Sequence, residues 1–199
     1  GASLEYGMPI SEFQSLSLGL SYNNAELLSS TRSTLQAQEW VLNNGTPFHT
    51  NSANGIDFFG TSYSAIELIA GWAYDSRNRA IFANRGSRQQ VFLGYTIPGS
   101  EVEYFTARYN YTKYINIYGP WTIRINAELG YAEALGDTTA IPPYKQFYGG
   151  GPESIRGYKE SWMGPLDSYG RPYGGNMLVA SQLELIIPLP DQFASQARA

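Results

Sequence analysis

Hydrophobic and polar side chains alternate with a period of two through long stretches of the chain. Between residues 121 and 133, most odd-numbered positions are apolar and most even-numbered positions are polar or small. Successive side chains of a β-strand point to opposite faces. The pattern therefore predicts a strand with one apolar face and one polar face.

Seven segments show this alternation and are predicted to be strands: 2–8, 14–23, 62–75, 87–97, 103–113, 121–133 and 176–187. Most are ten residues or longer, whereas strands of globular proteins usually have about 5–6 residues. A strand that crosses a bilayer with a tilt of about 45° needs ~9–11 residues. Apart from a short turn at residues 98–100, the connections alternate between short and long, as in outer-membrane barrels. We predict an all-β fold, namely a wall of about seven antiparallel strands from a transmembrane barrel.

A soluble β-sandwich with tyrosine-rich strands is the alternative fold, since the alternation in any single strand is a weak signal. The charges on the polar face would line a water-filled lumen in a barrel, and would face bulk water in a sandwich. They are Glu5, Glu67, Arg88, Arg108, Arg124, Glu128 and Glu184. Tyrosine and tryptophan residues near strand ends suit the aromatic girdles of a barrel; they are Tyr22, Tyr63, Trp72, Tyr74, Tyr104, Trp121 and Tyr131.

The chain is predicted to be a single unit, with residues 1–199 forming part of one outer-membrane barrel domain. Two long connections, residues 24–61 and 134–175, are both expected to be extracellular loops. In the first, apolar residues between positions 25 and 42 form a loose helical stripe, and Asn43-Asn44-Gly45 is a plausible stop signal. This pattern predicts either a short helix or an irregular loop.

Composition narrows the function classes. Charged residues make up 15% of the chain, the formal net charge is −4, and there is no cysteine. The negative charge argues against a nucleic acid partner, and the lack of cysteine excludes disulfides and thiolate catalysis within this chain. The one histidine, His49, lies in a polar stretch without an evident partner. We therefore expect no catalytic residue, no metal site and no cofactor, and so no enzyme.

The second long loop carries the most specific signal. Glycine and proline dominate between residues 141 and 175, and Arg156 stands there in the tetrad Ile155-Arg156-Gly157-Tyr158. A guanidinium group suits a carboxylate, and an arginine folded into a lumen would need one because an unpaired buried charge is costly. Glu184, on the polar face of the last predicted strand, is the candidate partner. A solvated loop arginine is the alternative.

The segment 147–158, followed by Gly164-Pro165 and Gly174-Gly175-Asn176, resembles the sixth extracellular loop of the Omp85 superfamily. That loop carries a Val-Arg-Gly-Phe/Tyr tetrad, and here Ile155 and Tyr158 stand where valine and phenylalanine are common. The turns at residues 7–9 and 98–99 and the strand at 183–188 are similar as well. The resemblance covers essentially the whole chain, and it is strongest to the members that assemble outer-membrane proteins.

The resemblance implies that this chain supplies strands six to twelve of a sixteen-strand barrel that follows periplasmic POTRA domains. It implies a location in the outer membrane of a Gram-negative bacterium and a role in folding and inserting β-barrel proteins there. The implied partners are the lipid bilayer, unfolded outer-membrane β-barrel substrates and, through the periplasmic domains, accessory assembly lipoproteins.

The resemblance also implies which residues of the loop act. These are the tetrad Ile155, Arg156, Gly157 and Tyr158, the lumen partner Glu184 of Arg156, and the loop glycines Gly149, Gly150, Gly151, Gly174 and Gly175.

Other functions stay open on the sequence. A TamA-like assembly factor or a two-partner secretion polypeptide transporter of the same superfamily would carry the same tetrad. A barrel enzyme is disfavoured because His49 has no evident partner and such chemistry usually needs a positioned base. A passive porin is disfavoured because the long glycine-rich loop would obstruct its lumen.

Overall fold

The computed structural model describes residues 1–51, 57–151 and 154–187. It contains an open antiparallel sheet of eight strands, one α-helix and one 3₁₀ turn. The strands are β1 (Ala2–Ser11), β2 (Gln14–Ser29), β3 (Thr46–Asn51), β4 (Asp57–Asp75), β5 (Gly86–Thr96), β6 (Glu103–Tyr118), β7 (Trp121–Leu135) and β8 (Met177–Ile186). The main order is β1-β2-β4-β5-β6-β7-β8, and β3 pairs with β4. The predicted all-β antiparallel wall is confirmed, with its seven strands in consecutive order.

The register of the sheet places the apolar positions of neighbouring strands side by side. Leu4 pairs with Leu20, Leu20 with Leu68, and Leu68 with Tyr95. The next rows repeat this arrangement, so that one face of the wall carries continuous rows of apolar side chains, which we call the outer face. These side chains are open rather than packed: Leu4 is 80% exposed and Leu183 is 73% exposed. An apolar face this large and uncovered is not that of a sandwich sheet, whose apolar face packs on a second sheet.

Several strands extend beyond their predicted limits. β2 continues to Ser29 and β6 to Tyr118, and the unpredicted strand β3 lies within the first predicted loop. Residues 52–56 of that loop, 152–153 of the second loop and 188–199 at the C-terminal end lie outside the described residues. Among the residues that the structure describes, no helix is long and apolar enough to cross a membrane.

The predicted helix is present but shorter than its pattern suggested. α1 (Leu35–Asn43) begins after Thr34, whose side-chain oxygen accepts a hydrogen bond from the Ala37 N–H at 3.4 Å. Such a cap satisfies one of the donors that a helix start leaves unpaired. Leu27 and Leu28, which belonged to the helical stripe, instead alternate across the extension of β2.

The packed interior lies on the opposite side of the sheet, which we call the inner face. One buried cluster joins α1 to β4 and β6 through Trp40, Val41, Tyr63, Val102 and Tyr104. A second joins β7 to the long loop through Ala132, Ile141 and Phe147. The predicted placement of Tyr63 and Tyr104 in an aromatic girdle is wrong, since they are only 3% and 1% exposed. Each has the parity of Glu67 rather than of the outer face.

Candidate functional site

The inner face carries the charged side chains of the predicted polar face, and four of them form ion pairs between neighbouring strands. On β7, Arg124 lies opposite Glu184 of β8, with Nε 3.0 Å from a carboxylate oxygen. Arg108 of β6 lies 3.6 Å from Glu128 of β7. Opposite charges on neighbouring strands stabilise the pairing of those strands. The inner face is therefore polar and carries two cross-strand ion pairs, while the outer face is apolar.

We call the segment 136–175 the plug loop, and its described residues fold back over this inner face. It forms an ion pair with the wall, between Lys145, in the 3₁₀ turn Pro143–Lys145, and Glu67 of β4. The Lys145 Nζ lies 3.1 Å from both oxygens of Glu67, and the Tyr104 hydroxyl is 3.4 Å from one of them. Glu67 is only 5% exposed. A carboxylate that is this deeply buried needs a paired cation, so Lys145 anchors the loop at this point.

Two aromatic contacts extend the anchor. The hydroxyls of Tyr63 and Tyr144 are hydrogen-bonded, and their rings are stacked with centroids 6.5 Å apart. Phe147 covers Gly130 of β7 so closely that a Cβ at that position would lie 2.6 Å from its ring. The guanidinium of Arg108 lies 5.2 Å from the centre of the same ring. The lack of a side chain at residue 130 is thus what allows the loop to rest on the wall.

The predicted loop glycines lie where the plug loop folds on itself. Gly175 exchanges backbone hydrogen bonds with Phe147 at 2.9 and 2.8 Å, and Gly149 does so with Met163 at 3.0 and 2.9 Å. Gly150 and Gly151 adopt positive φ angles of 104° and 94°, which favour glycine. A Cβ on Gly174 would lie 2.5 Å from the Cβ of Gln146. The loop is therefore internally hydrogen-bonded rather than extended.

A tight turn closes the far end of the plug loop. Asp167 is buried, and it accepts hydrogen bonds from the backbone N–H groups of Tyr169 and Arg171 and from the Arg171 side chain. Desolvation alone would raise the pKa of this carboxyl, but the hydrogen bonds and the charge of Arg171 outweigh it and hold the pKa below its usual range. The turn therefore carries an ionised, fully engaged aspartate at neutral pH.

The plug loop is also joined to α1. The Trp40 ring N–H donates to the Ala140 carbonyl at 2.7 Å. The Asn44 amide donates to the Thr139 hydroxyl at 2.8 Å, and its oxygen accepts from the Thr139 N–H at 3.0 Å. The two predicted long connections therefore form one packed unit over the inner face.

The tetrad lies against β8. Ile155 is half-buried, Arg156 and Tyr158 are exposed, and Gly157 has a positive φ of 93°. The carbonyl of the preceding Ser154 accepts a hydrogen bond from the Gln182 amide at 2.7 Å. Arg156 borders an open cavity of about 400 Å³ together with residues 182–186.

Arg156 and Glu184 border the same cavity but do not form an ion pair. Glu184 is held by Arg124, and within the described ranges Arg156 has no carboxylate within 4.0 Å. The structure thus brings the tetrad to the strand that bears Glu184 without joining the two charges.

Sequence reasoning missed Lys145, Phe147 and Asn44, which hold the loop in place. The alternation of side chains already placed Glu67 on the polar face of its strand, and a carboxylate buried there would need a cation as its partner. Nothing in the spacing identified Lys145 as that cation, because the pair is separated by 78 positions and depends on the path of the loop.

The comparison with protein families decides the assignment. The model of the Omp85 superfamily domain matches residues 1–198. The chain belongs to the Omp85 superfamily. Omp85 relatives share most of this chain: outer membrane protein assembly factor BamA of Neisseria meningitidis serogroup B is 28% identical over 194 residues, 96% of this chain and 24% of its own length. The SAM50-like protein CG7639 of Drosophila melanogaster is 26% identical over 117 residues, 59% of this chain and 26% of its own length.

A solved Omp85 structure shows the same fold. BamA from Haemophilus ducreyi, crystallised without POTRA domains 1–3, superposes with a TM-score of 0.81 at 27% sequence identity. The match covers 95% of this chain and 37% of that one. The chain therefore spans about a quarter of the length of the two relatives that it matches in sequence, and 37% of the crystallised chain.

His49 lies on β3 with its ring 5.1 Å from that of Phe59. In the part of the chain that the structure describes, no three histidine or acidic side chains are grouped so that they could hold a metal ion. The contacts of the inner face hold a long loop across a polar wall.

Proposed function

We propose that this chain forms part of the barrel of an assembly factor that folds and inserts β-barrel proteins into the outer membrane of a Gram-negative bacterium. One observation carries the proposal: an Omp85 wall with an open apolar outer face has a loop anchored over its charged inner face. The apolar rows suit contact with hydrocarbon, and the polar side suits a lumen. The similarity to the outer membrane protein assembly factor BamA of Neisseria meningitidis supports the assembly role.

In this proposal the function is non-covalent and needs neither catalysis nor a cofactor. Strand edges of such a barrel can template the strands of an incoming substrate by β-augmentation. The plug loop would keep the lumen side of the wall in one arrangement while this happens. The lipid bilayer and unfolded outer-membrane β-barrel proteins are the proposed partners, and accessory assembly lipoproteins are proposed to act through periplasmic domains. The transporter alternative is not favoured, since the BamA relatives are named as assembly factors.

Depletion of the full-length protein tests the assembly role. We expect the amount of folded, heat-modifiable β-barrel protein in the outer membrane to fall, and to recover when the wild-type gene is supplied. If the barrels stay folded while one exported polypeptide is lost, the protein is a transporter and the proposal is wrong.

We further propose that Arg156 keeps the tetrad seated at β8. Arg156 and Glu184 line the same cavity, so the guanidinium can compete with Arg124 for that carboxylate. In the full-length protein, Arg156→Ala should increase protease cleavage of the plug loop and reduce substrate assembly. Lys159→Ala, which removes another exposed cation of the same loop, is the control. Unchanged cleavage and assembly in Arg156→Ala would remove this role.

A further inference from the structure

A notch opens on the outer face at the end of the sheet that carries the short turns. The strand β5 begins at Gly86, which pairs with Tyr114, whereas β6 continues to Tyr118. The hairpin of β6 and β7 therefore projects past the start of β5. The step between this hairpin and the turn at residues 76–85 leaves a cavity of about 490 Å³, which we call the notch. It is lined by Tyr74, Ser76, Arg85, Ser87, Lys113 and Ile115.

Lys113 places a cation on the face that is otherwise apolar. It has the parity of Tyr109 and Tyr111, and its cross-strand partners are Ser87 and Ile125. Its side chain is exposed. A lysine among apolar outer-face residues is tolerated where its ammonium reaches the polar headgroups, so Lys113 marks the headgroup level at this part of the wall.

Arg85 brings a second cation to the same notch. Its backbone is fixed by Asn78, whose N–H donates to the Arg85 carbonyl at 3.1 Å and whose side-chain oxygen accepts from the Arg85 N–H at 3.3 Å. In the same turn, Arg77 is neutralised by Asp75 at 2.6 Å. Neither Arg85 nor Lys113 makes an ion pair with any residue that the structure describes.

The side chains around the two cations are polar, whereas aromatic side chains lie one cross-strand row nearer the middle of the sheet. The hydroxyls of Ser76 and Ser87 lie at the level of Lys113, and the next row toward the middle of the strands begins with Tyr74. The ring of Tyr74 stacks with that of Trp72, with centroids 6.4 Å apart. Tyrosine and tryptophan prefer the interface between headgroups and hydrocarbon. The notch thus has a cationic, hydroxyl-lined end and an aromatic end.

We propose that the notch binds the phosphodiester headgroup of an anionic phospholipid. Arg85 and Lys113 contact the phosphate, and the acyl chains run along Tyr74 and Trp72 on the outer face. An arginine fork matches phosphate oxygens, and a lysine adds a point charge. The inference rests on the proposed function only in that the outer face must meet a bilayer.

The test measures phospholipid retained by the purified full-length protein, using native mass spectrometry with phosphatidylglycerol as the probe. Lys113→Ala and Arg85→Ala should each lower the retained lipid about fivefold, which corresponds to about 1 kcal/mol for one cation near a phosphate. Lys113→Arg should retain it. Arg79→Ala is the matched control, because Arg79 is an exposed cation of the same turn outside the lining of the notch.

Flotation of every variant with phosphatidylglycerol vesicles separates the two levels of the proposal. If wild type and variants all float but retain lipid equally, the notch is not a lipid site and the membrane assignment stands. If none floats, the proposed function itself fails.

Three other results would also overturn the proposal. A loss of retained lipid in Arg79→Ala as large as in Lys113→Ala would show diffuse charge attraction, and displacement of the lipid by excess inorganic phosphate would show a free-phosphate site. Loss of a bound acidic protein with no loss of lipid would assign the notch to that partner.

Discussion

At the scale of single residues, the ion pair between Lys145 and Glu67 is the contact that best explains the position of the plug loop. Glu67 is buried, while Lys145 keeps part of its side chain in contact with solvent. The two partners are therefore not equivalent. Loss of the lysine leaves a buried charge without compensation, whereas loss of the carboxylate leaves a cation that can turn toward water.

Lys145→Met should destabilise the folded protein by roughly 3 kcal/mol, and Glu67→Gln should cost clearly less. The two substitutions together should recover part of the loss caused by Lys145→Met alone. Urea midpoints of the full-length protein and the rate of protease cleavage in the plug loop measure both effects. Equal costs for the two single variants would contradict the anchoring role of this pair.

Gly130 is the second decisive residue, because Phe147 occupies the space of its missing side chain. Gly130→Ala should displace Phe147 and cost about 1–3 kcal/mol, as overpacking does. Gly7→Ala is the control, since a Cβ there would meet only the Leu16 carbonyl at 4.0 Å. The same urea midpoints compare the two variants. A Gly130→Ala protein as stable as Gly7→Ala would show that Phe147 does not hold the loop.

At the scale of elements, the alternation of apolar and polar residues predicted every strand of the main wall, because each strand has one face in an apolar environment and the other in a polar one. It did not predict β3, whose six residues Thr46–Asn51 form a polar stretch without alternation. That strand exists because β4 extends beyond its pairing with β5 and offers β3 an edge there. The helix was predicted to begin too early for a related reason. The apolar residues of the segment 25–29 fit a helical stripe and also one face of a strand, and pairing with β4 selects the strand.

The same distinction explains what the sequence revealed of the candidate site. The tetrad and the loop glycines were recognisable because the local sequence around them resembles a loop of the Omp85 superfamily. The anchors of the loop depend on contacts between distant segments, such as Asn44 with Thr139. Parity alone could have corrected Tyr63 and Tyr104, since both lie on the face of Glu67. Their position near strand ends had suggested a girdle instead.

Asn44 tests how the two long connections hold each other. It is buried and makes hydrogen bonds to the Trp40 carbonyl at 2.9 Å and to Thr139. Asn44→Ala should cost about 2 kcal/mol by leaving buried polar groups unpaired, and should speed protease cleavage in both connections. Asn43→Ala, at an exposed neighbouring position, should change neither. Faster cleavage in only one connection would show that the two loops are independent.

At the scale of the whole molecule, the two faces of the sheet have opposite characters. The outer face has continuous exposed apolar rows, and the inner face has paired charges and the plug loop. Membership in the Omp85 superfamily and the similarity to BamA agree with this division. The proposed assembly role and the lipid notch both require that the apolar rows contact hydrocarbon and that the charged rows face water.

Single cysteines along β7 test that requirement most directly, because this chain has no cysteine of its own. Spin labels placed one at a time at positions 123–129 of the full-length protein in vesicles report collisions with dissolved oxygen and with a water-soluble nickel complex. Labels at odd positions, the side of Ile125 and Leu129, should collide mainly with oxygen, and those at even positions, the side of Asn126, mainly with nickel. Uniform accessibility, or the opposite alternation, would contradict the account.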